Sequence, residues 1–584
     1  PNIYPLGLRD SGGKLYNDVV DYLSPARRMQ RALEERTGKR VPIEQDFDTA
    51  FRLVDSRAAA ILDAMQADRT GKGGLYEHLR NANKGVTKDT PGVALLPKDK
   101  DGVAQEANIT NLLERYLYSM HAKEGNAHIL RKNQADLAEL SAKVAKEKNP
   151  DHKDLRKIEK LKEQILGRKG SGLSDEDGAA FLEALDPEMR QTLERAREDL
   201  EVIMQDTRDA MLKYGFTDED GLRVLNTTFD NYVPLKGHEA MGVLDSDGNV
   251  VGSDRTVPHV PRQMDPNHLL DARAGRSTEA TDIVSTILHD NANIHITGQK
   301  NLALQKLHEF VLQNPDPTTY KIMEAGDGVS ARNDNTVVVM IDGEAQHIVF
   351  KDQDIATALR GLTPDQMAPT MKKLKQFSTW ASGARKAFVH YNPAFAPVNF
   401  FRDMPLAAIH GLTQSSHQYG YITHAQDGTP ISSSRFTTQM FANMPRAFMA
   451  VSSGEFGGGK FSTPSMRRDL AKFELSGSVT GWQHMNPLRD VKKALEAETN
   501  PKKRYQIGRN WMFKNSLGLV KSMNDVFENS WRFAGYQAAI KMNVHPDKAA
   551  AFAKVVTVDF NRKGRAASNI SAWKYFFNPA MQGV

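Results

Sequence analysis

The spacing of apolar residues restricts much of this chain to helices. Between residues 47 and 65 they recur every three or four positions and fall on one helical face, at Phe47, Phe51, Val54, Ala58, Ile61 and Met65. Gly71, Gly73 and Gly74 then end the pattern. A similar repeat over residues 193–212 ends at Gly215, as expected for a helix. The chain therefore belongs to a helical class.

A helical hairpin is predicted on either side of Asn149-Pro150-Asp151. From Ile129 onward, Leu130, Leu137 and Val144 are spaced seven apart in a polar stretch. A second charged segment carries Leu155, Ile158, Ile165 and Leu166. Because the proline and the following aspartate favour the start of a returning helix, the turn lies there. The narrow apolar stripe predicts that the hairpin projects from the body or packs along another long helix.

Two short regions depart from the helical pattern. Residues 336–340 and 347–350 are rich in β-branched or apolar side chains and flank Asp342-Gly343, a pair that favours a tight hairpin turn. Residues 243–251 predict an exposed β-turn. The expected fold is mainly α: an elongated multi-helix bundle with a projecting helical hairpin and small β-hairpin insertions. We expect four regions, residues 1–125, 126–220, 221–370 and 371–584.

Charge divides the chain into two unequal parts. Residues 371–584 carry 29 Lys and Arg against 12 Asp and Glu, whereas residues 1–370 carry 48 against 60. The basic part also holds 29 of the 45 aromatic residues. Such a composition suits DNA or RNA, or else docking on the acidic part of the same chain or of a partner. The candidate nucleic-acid contacts are Lys502, Lys503, Arg504, Arg509, Arg562, Lys563 and Arg565; the alternative is that these cations stabilise helix C-termini.

The absence of cysteine excludes several kinds of chemistry at once. No disulfide framework, Cys-ligated zinc, iron–sulfur cluster or thiol nucleophile is possible in a chain of 584 residues without one. No apolar run of about 18 residues predicts a membrane span. Because the chain begins at Pro1 without a leader-like segment, we expect a fragment or a processed product.

Catalytic motifs are imitated but not completed. Gly454 to Lys460 has the spacing of a phosphate-binding loop, yet Phe461 replaces the hydroxyl that would reach magnesium. Asp245, Asp247 and Asn249 resemble the start of a calcium loop whose glycine position is occupied by Val250. His289 and His295 lie on one expected helix, where satisfied or surface histidines are the default. We therefore predict no cofactor, no metal site and no catalytic residue.

Polar residues inside apolar surroundings form the most distinctive pattern. Between residues 387 and 434 only Arg402, Asp403 and Asp427 are charged, so this stretch is expected to be buried against another segment or chain. Asn399 and Arg402 lie one turn apart on an expected helix. Glu528 and Arg532 have the spacing of an intrahelical ion pair. Such groups must satisfy one another or the backbone, which indicates a structural role.

These clusters, in this order, resemble a helical domain of very large phage proteins, the large polyvalent protein associated family. The resemblance covers about residues 225–584 and is specific in its C-terminal part. Upstream, Asn231 to Leu235, Gly275-Arg276 and Lys300-Asn301 are similar to what precedes that domain. The matching positions are Pro393, Phe395, Asn399, Arg402, Asp403, Glu528, Arg532, Asp559, Phe560, Arg562, Gly564, Phe576, Phe577, Asn578, Gln582 and Gly583.

The resemblance implies a protein packaged in the virion and delivered with the genome, like the internal or ejection proteins of short-tailed phages. The expected function is a non-enzymatic segment of such a protein, with other virion or ejection proteins as partners and DNA, RNA or further copies of itself as candidate partners. The implied location is the capsid or tail interior, then the host envelope or cytoplasm. The alternatives are an enzyme-bearing segment that cleaves peptidoglycan or processes nucleic acid, and a purely structural virion scaffold.

Overall fold

Helices dominate the computed structural model of the chain, as the apolar spacing predicts. The model describes residues 23–66, 75–97, 107–146, 151–166, 170–235, 243–244, 250–251, 279–280, 282–324, 335–360, 395–416, 420–455, 463–479 and 526–557. The helices before the sheet are α1 (Ser24–Thr37), α2 (Phe47–Gln66), α3 (Leu75–Asn83), α4 (Ile109–Lys146), α5 (His152–Leu166), α6 (Asp175–Ala184), α7 (Pro187–Lys213), α8 (Glu219–Thr227) and α9 (Ile283–Gln313). After the sheet come α10 (Gln353–Arg360), α11 (Phe395–Ser416), α12 (Ser433–Glu455), α13 (Pro464–Leu475), α14 (526–541) and α15 (Pro546–Val555).

The predicted β insertions are present. Strands β3 (Tyr320–Glu324), β4 (Thr336–Ile341) and β5 (Glu344–Phe350) form an antiparallel sheet in the order β3-β5-β4. Asp342 and Gly343 both have left-handed φ values, 49° and 86°, as a type I′ turn requires. A second pair, β1 (Val243–Leu244) and β2 (Val250–Val251), flanks the calcium-like residues, which lie outside the described ones.

The predicted helical hairpin consists of α4 and α5. Its first arm continues a core helix: α4 is buried near Ile109 and Leu117, and its polar C-terminal half runs beside α5. Lys143 donates to the Asp154 carboxylate at 2.7 Å and joins the two arms. Residues 125 and 126, the first expected region boundary, both lie inside α4. The division into four regions stays a prediction.

The buried residues form clusters that draw on distant parts of the chain. One cluster joins α3, α4, α6, α7 and the start of α9. A second packs α1 and Phe47 of α2 on α9, the sheet and α10, with the Phe47 and Phe310 rings 5.1 Å apart. A third joins Leu53 of α2 to α11–α15. Helix α2 contributes to more than these two clusters: Leu53 lies off the single apolar face that the spacing predicts, and Ala50 and Val54 pack with Ala303 of α9 in a further, smaller cluster.

Helix α11 carries most of the described part of the low-charge stretch. Ala407 and Asp403 are buried, as predicted. Met404, Ile409 and Leu412 instead keep 42%, 56% and 46% of their surface exposed among the described residues. The helix packs against α12, while these three apolar side chains keep much of their surface exposed.

Candidate functional site

The structure describes few of the residues that the sequence nominates. The seven candidate nucleic-acid contacts from Lys502 to Arg565 all lie outside the described residues, as do Pro393 and the family positions from Asp559 to Gly583. The backbone of Phe395, Asn399 and Arg402 is helical within α11. The family positions with described side chains are Asp403, Glu528 and Arg532.

Arg532 is the centre of a buried polar cluster in α14. Its side chain is fully buried, and its guanidinium donates from Nη2 to Glu528 Oε1 at 2.8 Å and from Nε to Thr557 Oγ1 at 2.9 Å. The predicted intrahelical ion pair is therefore confirmed. A buried cation without such partners would be strongly destabilising. The cluster joins α14 to Thr557, two residues after the end of α15.

Aromatic side chains, among them the sequence neighbours Trp531 and Phe533 of Arg532, pack in the third hydrophobic cluster. Trp531 meets Phe441 at a ring-centroid distance of 5.1 Å, Phe533 meets Phe473 at 5.0 Å, and Phe552 meets Phe436 at 5.0 Å. The first and third pairs are edge-to-face and the second is tilted; aromatic pairs at these distances stabilise cores. These described aromatic residues of the basic part are thus used for packing, which leaves their faces closed to nucleobases.

Helices α2 and α15 pack against each other, and polar side chains between them form a second polar cluster. We call this contact the α2–α15 interface. Asp547 accepts from Arg57 at 2.5 Å and lies 3.4 Å from Lys306 of α9. Buried Lys554 donates from Nζ to the Arg52 carbonyl at 2.5 Å and to Ser56 Oγ at 3.0 Å.

The Asp547 carboxyl is a charged group held in a largely buried position. Burial by itself raises its pKa, but Arg57 and Lys306 outweigh that effect, so the pKa lies below the ordinary value. Lys548 approaches Asp46 at 3.9 Å, so cations of the basic part meet anions of the acidic part and the reverse. The described contact between the acidic and basic parts therefore consists of individual ion pairs, and each part supplies both cations and anions.

A third polar cluster links α7 to α9. His295 is buried; its Nε2 lies 2.6 Å from Asp206 Oδ2 and its Nδ1 lies 2.9 Å from the Tyr214 hydroxyl. Asn291 donates to the same Asp206 oxygen at 2.8 Å. Burial raises the pKa of Asp206, but the hydrogen bonds from His295 and Asn291 bring it below the ordinary value.

The Asp206–His295–Tyr214 order resembles a proton relay, but its terminal hydroxyl cannot meet a substrate. Tyr214 is fully buried, and burial raises the pKa of its hydroxyl. His295 is the satisfied histidine that the sequence predicts. The cluster itself was not predictable, because Asp206 and Tyr214 both lie more than 80 residues from His295 and no local pattern joins them.

The remaining chemical motifs have no described site. In the described ranges, no group of three or more His, Asp or Glu residues is arranged to hold a metal ion. Gly454 and Glu455 close helix α12, and the rest of the glycine-rich loop lies outside the described residues. No helix in the described part is long and apolar enough to cross a bilayer.

The described polar clusters join segments that are distant in sequence. Within the described residues, their side chains pair with one another, and in the second and third clusters also with backbone carbonyls. Comparison of the chain with family models, curated proteins and solved structures finds no match in any of the three.

Proposed function

We propose that the chain is a non-enzymatic segment of a phage internal virion protein, packaged in the virion and delivered into the host with the genome. The observation that carries this proposal is the Arg532 cluster. Two of the positions that resemble the phage domain, Glu528 and Arg532, form an ion pair in which the arginine is fully buried and the glutamate is partly buried. This arrangement favours a scaffold whose motif preserves packing.

The same proposal names other virion or ejection proteins as partners and the capsid or tail interior, then the host envelope or cytoplasm, as the location. Helices with mainly local contacts suit a chain that must refold after delivery. The absence of cysteine suits passage through an oxidising compartment, since no disulfide can trap it.

Purified virions of the phage that encodes the chain provide the direct test. Antibodies against residues 23–66 are expected to detect the chain in intact particles and to find it depleted from particles that have ejected their DNA. A chain absent from particles, or retained after ejection, would contradict the proposal. A peptidoglycan zymogram and a nuclease assay on the full chain test the enzymatic alternative, for which we expect no activity.

A purely structural scaffold without nucleic-acid contact is the second candidate. The burial of Phe436, Phe473, Trp531, Phe533 and Phe552 favours it, because these rings are closed to stacking on bases.

Binding of the full chain to a random DNA duplex across a salt series separates the two candidates. If the basic residues contact phosphates, the triple variant Lys502→Gln, Lys503→Gln, Arg504→Gln lowers the salt slope by about 0.9 for each phosphate that is no longer neutralised. The matched control replaces exposed Lys157, Lys160 and Lys162 of α5 by Gln. Equal effects of the two triple variants, or no binding at all, would favour the scaffold.

A further inference from the structure

Helix α15 begins at a cap that can change its charge near neutral pH. His545 precedes Pro546, the first residue of the helix, and its Nδ1 accepts a hydrogen bond from the Asp547 N–H at 3.2 Å. An oxygen of Ser, Thr, Asp or Asn is the usual acceptor at such a position. Because a backbone N–H can only donate, Nδ1 must carry a lone pair and the imidazole proton must lie on Nε2. The cap therefore exists only while His545 is neutral.

The capped turn is also the turn that attaches α15 to the acidic part of the chain. Its Asp547 carboxylate pairs with both α2 and α9. Lys306 of α9 is fixed beside it, because its Nζ also donates to the Ile43 carbonyl at 2.8 Å. Two turns further on, Lys554 lies on the same helical face as Asp547 and is held by α2. Opening of the first turn would thus loosen the α2–α15 interface.

In the described part of the chain, the charges that act on His545 come from three elements. Asp547 and Lys548 lie on α15 itself, Lys306 lies on α9, and Glu44 lies on the short 3₁₀ helix before α2. Burial is the largest effect on the imidazole. Together with the two lysines it outweighs the two carboxylates, so the pKa of His545 lies below the ordinary value of about 6.5. The positive end of the α15 dipole acts in the same direction as the lysines.

We propose that His545 is a pH-sensitive switch that releases the first turn of α15 from α2 and α9 on mild acidification. A proton bound at Nδ1 removes the acceptor of the Asp547 N–H and places a cation at the helix N-terminus, where it is unfavourable. The inference is independent of the virion role.

The direction of the pH dependence follows from the two states of His545. Its pKa is lower in the docked helix than in a released one, so the released form binds more protons on acidification. Docking is therefore at full strength above about pH 6.5 and weakens as the pH falls from there to the pKa of the docked form. Asp547 titrates in a lower interval, below about pH 3.9, so its ion pairs stay charged while His545 changes.

Thiol labelling of the full chain tests the release, because the chain has no cysteine of its own. Ala551 is 1% exposed and lies between Asp547 and Lys554 on one helical face, so the thiol of Ala551→Cys reacts with a maleimide only when α15 opens. The exposed thiol of Glu159→Cys in α5, labelled at the same pH, corrects for the thiolate fraction.

We expect the protection of the Ala551→Cys thiol to fall by about three- to ten-fold between about pH 7.5 and about pH 5.5. Ten-fold is roughly the limit at one pH unit below the ordinary histidine pKa. Unchanged protection over this interval would overturn the proposal.

Two substitutions of His545, each combined with Ala551→Cys, show whether the cap is responsible. His545→Asn supplies an acceptor that does not titrate, so protection should stay high at both pH values. His545→Ala removes the acceptor and should lower protection at both. The matched control His308→Asn removes a histidine of α9 whose pKa is also lowered by burial, and it should leave the fall unchanged. An equal fall in the parent and in His545→Asn would overturn the proposal.

A second reporter distinguishes release of α15 from unfolding of the whole chain. Ala303 of α9 is buried against Ala50 and Val54 of α2, so the thiol of Ala303→Cys should stay protected over the same pH interval. A parallel fall at both reporters would contradict a local switch. If a cysteine variant does not fold, amide exchange of residues 546–555 in the unsubstituted chain, divided by the intrinsic rate at each pH, replaces it. Protection of this segment that does not fall on acidification would overturn the proposal.

Discussion

The central helix α9 and the C-terminal helices α14 and α15 both fasten segments that are distant in sequence, but with different chemistry. Asn301 of α9 is buried; its amide donates to the carbonyls of Tyr214 and Met340 at 2.7 and 2.8 Å and accepts from the Met340 N–H at 3.0 Å. In the C-terminal part the equivalent task falls to Arg532, Lys554 and Asp547, which are charged.

The difference shows what each solution costs. A neutral amide satisfies three backbone groups without the desolvation of a charge. A buried ion pair must first offset that desolvation, and its removal on one side leaves an uncompensated charge. The attachment through Arg532 should therefore be more sensitive to single substitutions, and the attachment through Asp547 more sensitive to pH, than the attachment of the sheet to α9.

The largest effect is expected for Arg532→Met, which removes the buried guanidinium that donates to Glu528 and Thr557. We expect a loss of about 3–5 kcal/mol in the free energy of unfolding, measured by urea denaturation. The control Arg446→Ala breaks an exposed pair with Asp469 and should cost at most about 0.5 kcal/mol. If the loss of the guanidinium beside the Glu528 carboxylate is the cause, Arg532→Met/Glu528→Met loses less stability than Arg532→Met alone. Equal losses for Arg532→Met and Arg446→Ala would erase the distinction between the two regions.

Asn301→Ala is the counterpart on the uncharged side. We expect a loss of about 2–3 kcal/mol, because the buried Met340 N–H loses the Asn301 acceptor. Gln305 also donates to the Tyr214 and Met340 carbonyls, at 3.2 and 2.9 Å, so those two groups keep a partner. Gln305→Ala should therefore cost less, about 1 kcal/mol. If urea denaturation showed a larger loss of unfolding free energy for Gln305→Ala than for Asn301→Ala, the Gln305 amide and not the Asn301 amide would hold the sheet to α9.

Gly298→Ala tests how closely α9 approaches the loop after α7. A methyl group at Gly298 would overlap the Tyr214 ring, which would have to leave its hydrogen bond to His295. We expect a loss of about 1–3 kcal/mol despite the better helix propensity of alanine.

The matched control for this substitution is Gly178→Ala in α6, where the nearest atom to the added methyl would be 3.4 Å away. That change should instead stabilise by about 0.5–1 kcal/mol. Thermal unfolding of both variants is the measurement, and a shift of the same sign in both would contradict the close approach at Tyr214.

The last substitution tests the contribution of a single charge to stability. Asp547→Asn should lower the free energy of unfolding by about 1–2 kcal/mol at pH 7, because Arg57 and Lys306 lose their anion. Since the pKa of Asp547 is lower in the folded chain than in the unfolded one, this stability is present above the ordinary aspartate pKa of about 3.9. It is lost as the pH falls from there through the folded pKa.

Urea denaturation at a series of pH values checks this dependence. The difference between the parent chain and Asp547→Asn should shrink on acidification, while the difference for Asn301→Ala should stay constant over the same interval. A pH-independent difference for Asp547→Asn would show that its carboxylate charge does not hold the α2–α15 interface.

Much of the fold could be predicted from local sequence patterns. The α2 and α7 helices follow from apolar spacing, the β4–β5 turn from Asp342-Gly343, and the Glu528–Arg532 pair from its four-residue separation. In each case the interacting residues are neighbours along the chain, so their geometry is set by the helix or turn itself.

Local patterns are sufficient to predict the helical class, the hairpin arms, the small sheet and the intrahelical ion pair. The contact of Asp206 with His295 and that of Asp547 with Arg57, 490 residues away, arise only when the helices pack. The two groups of features differ because the forces behind them differ in range. Backbone hydrogen bonds and side-chain periodicity act within a few residues, whereas burial is non-directional and selects partners only when whole helices pack.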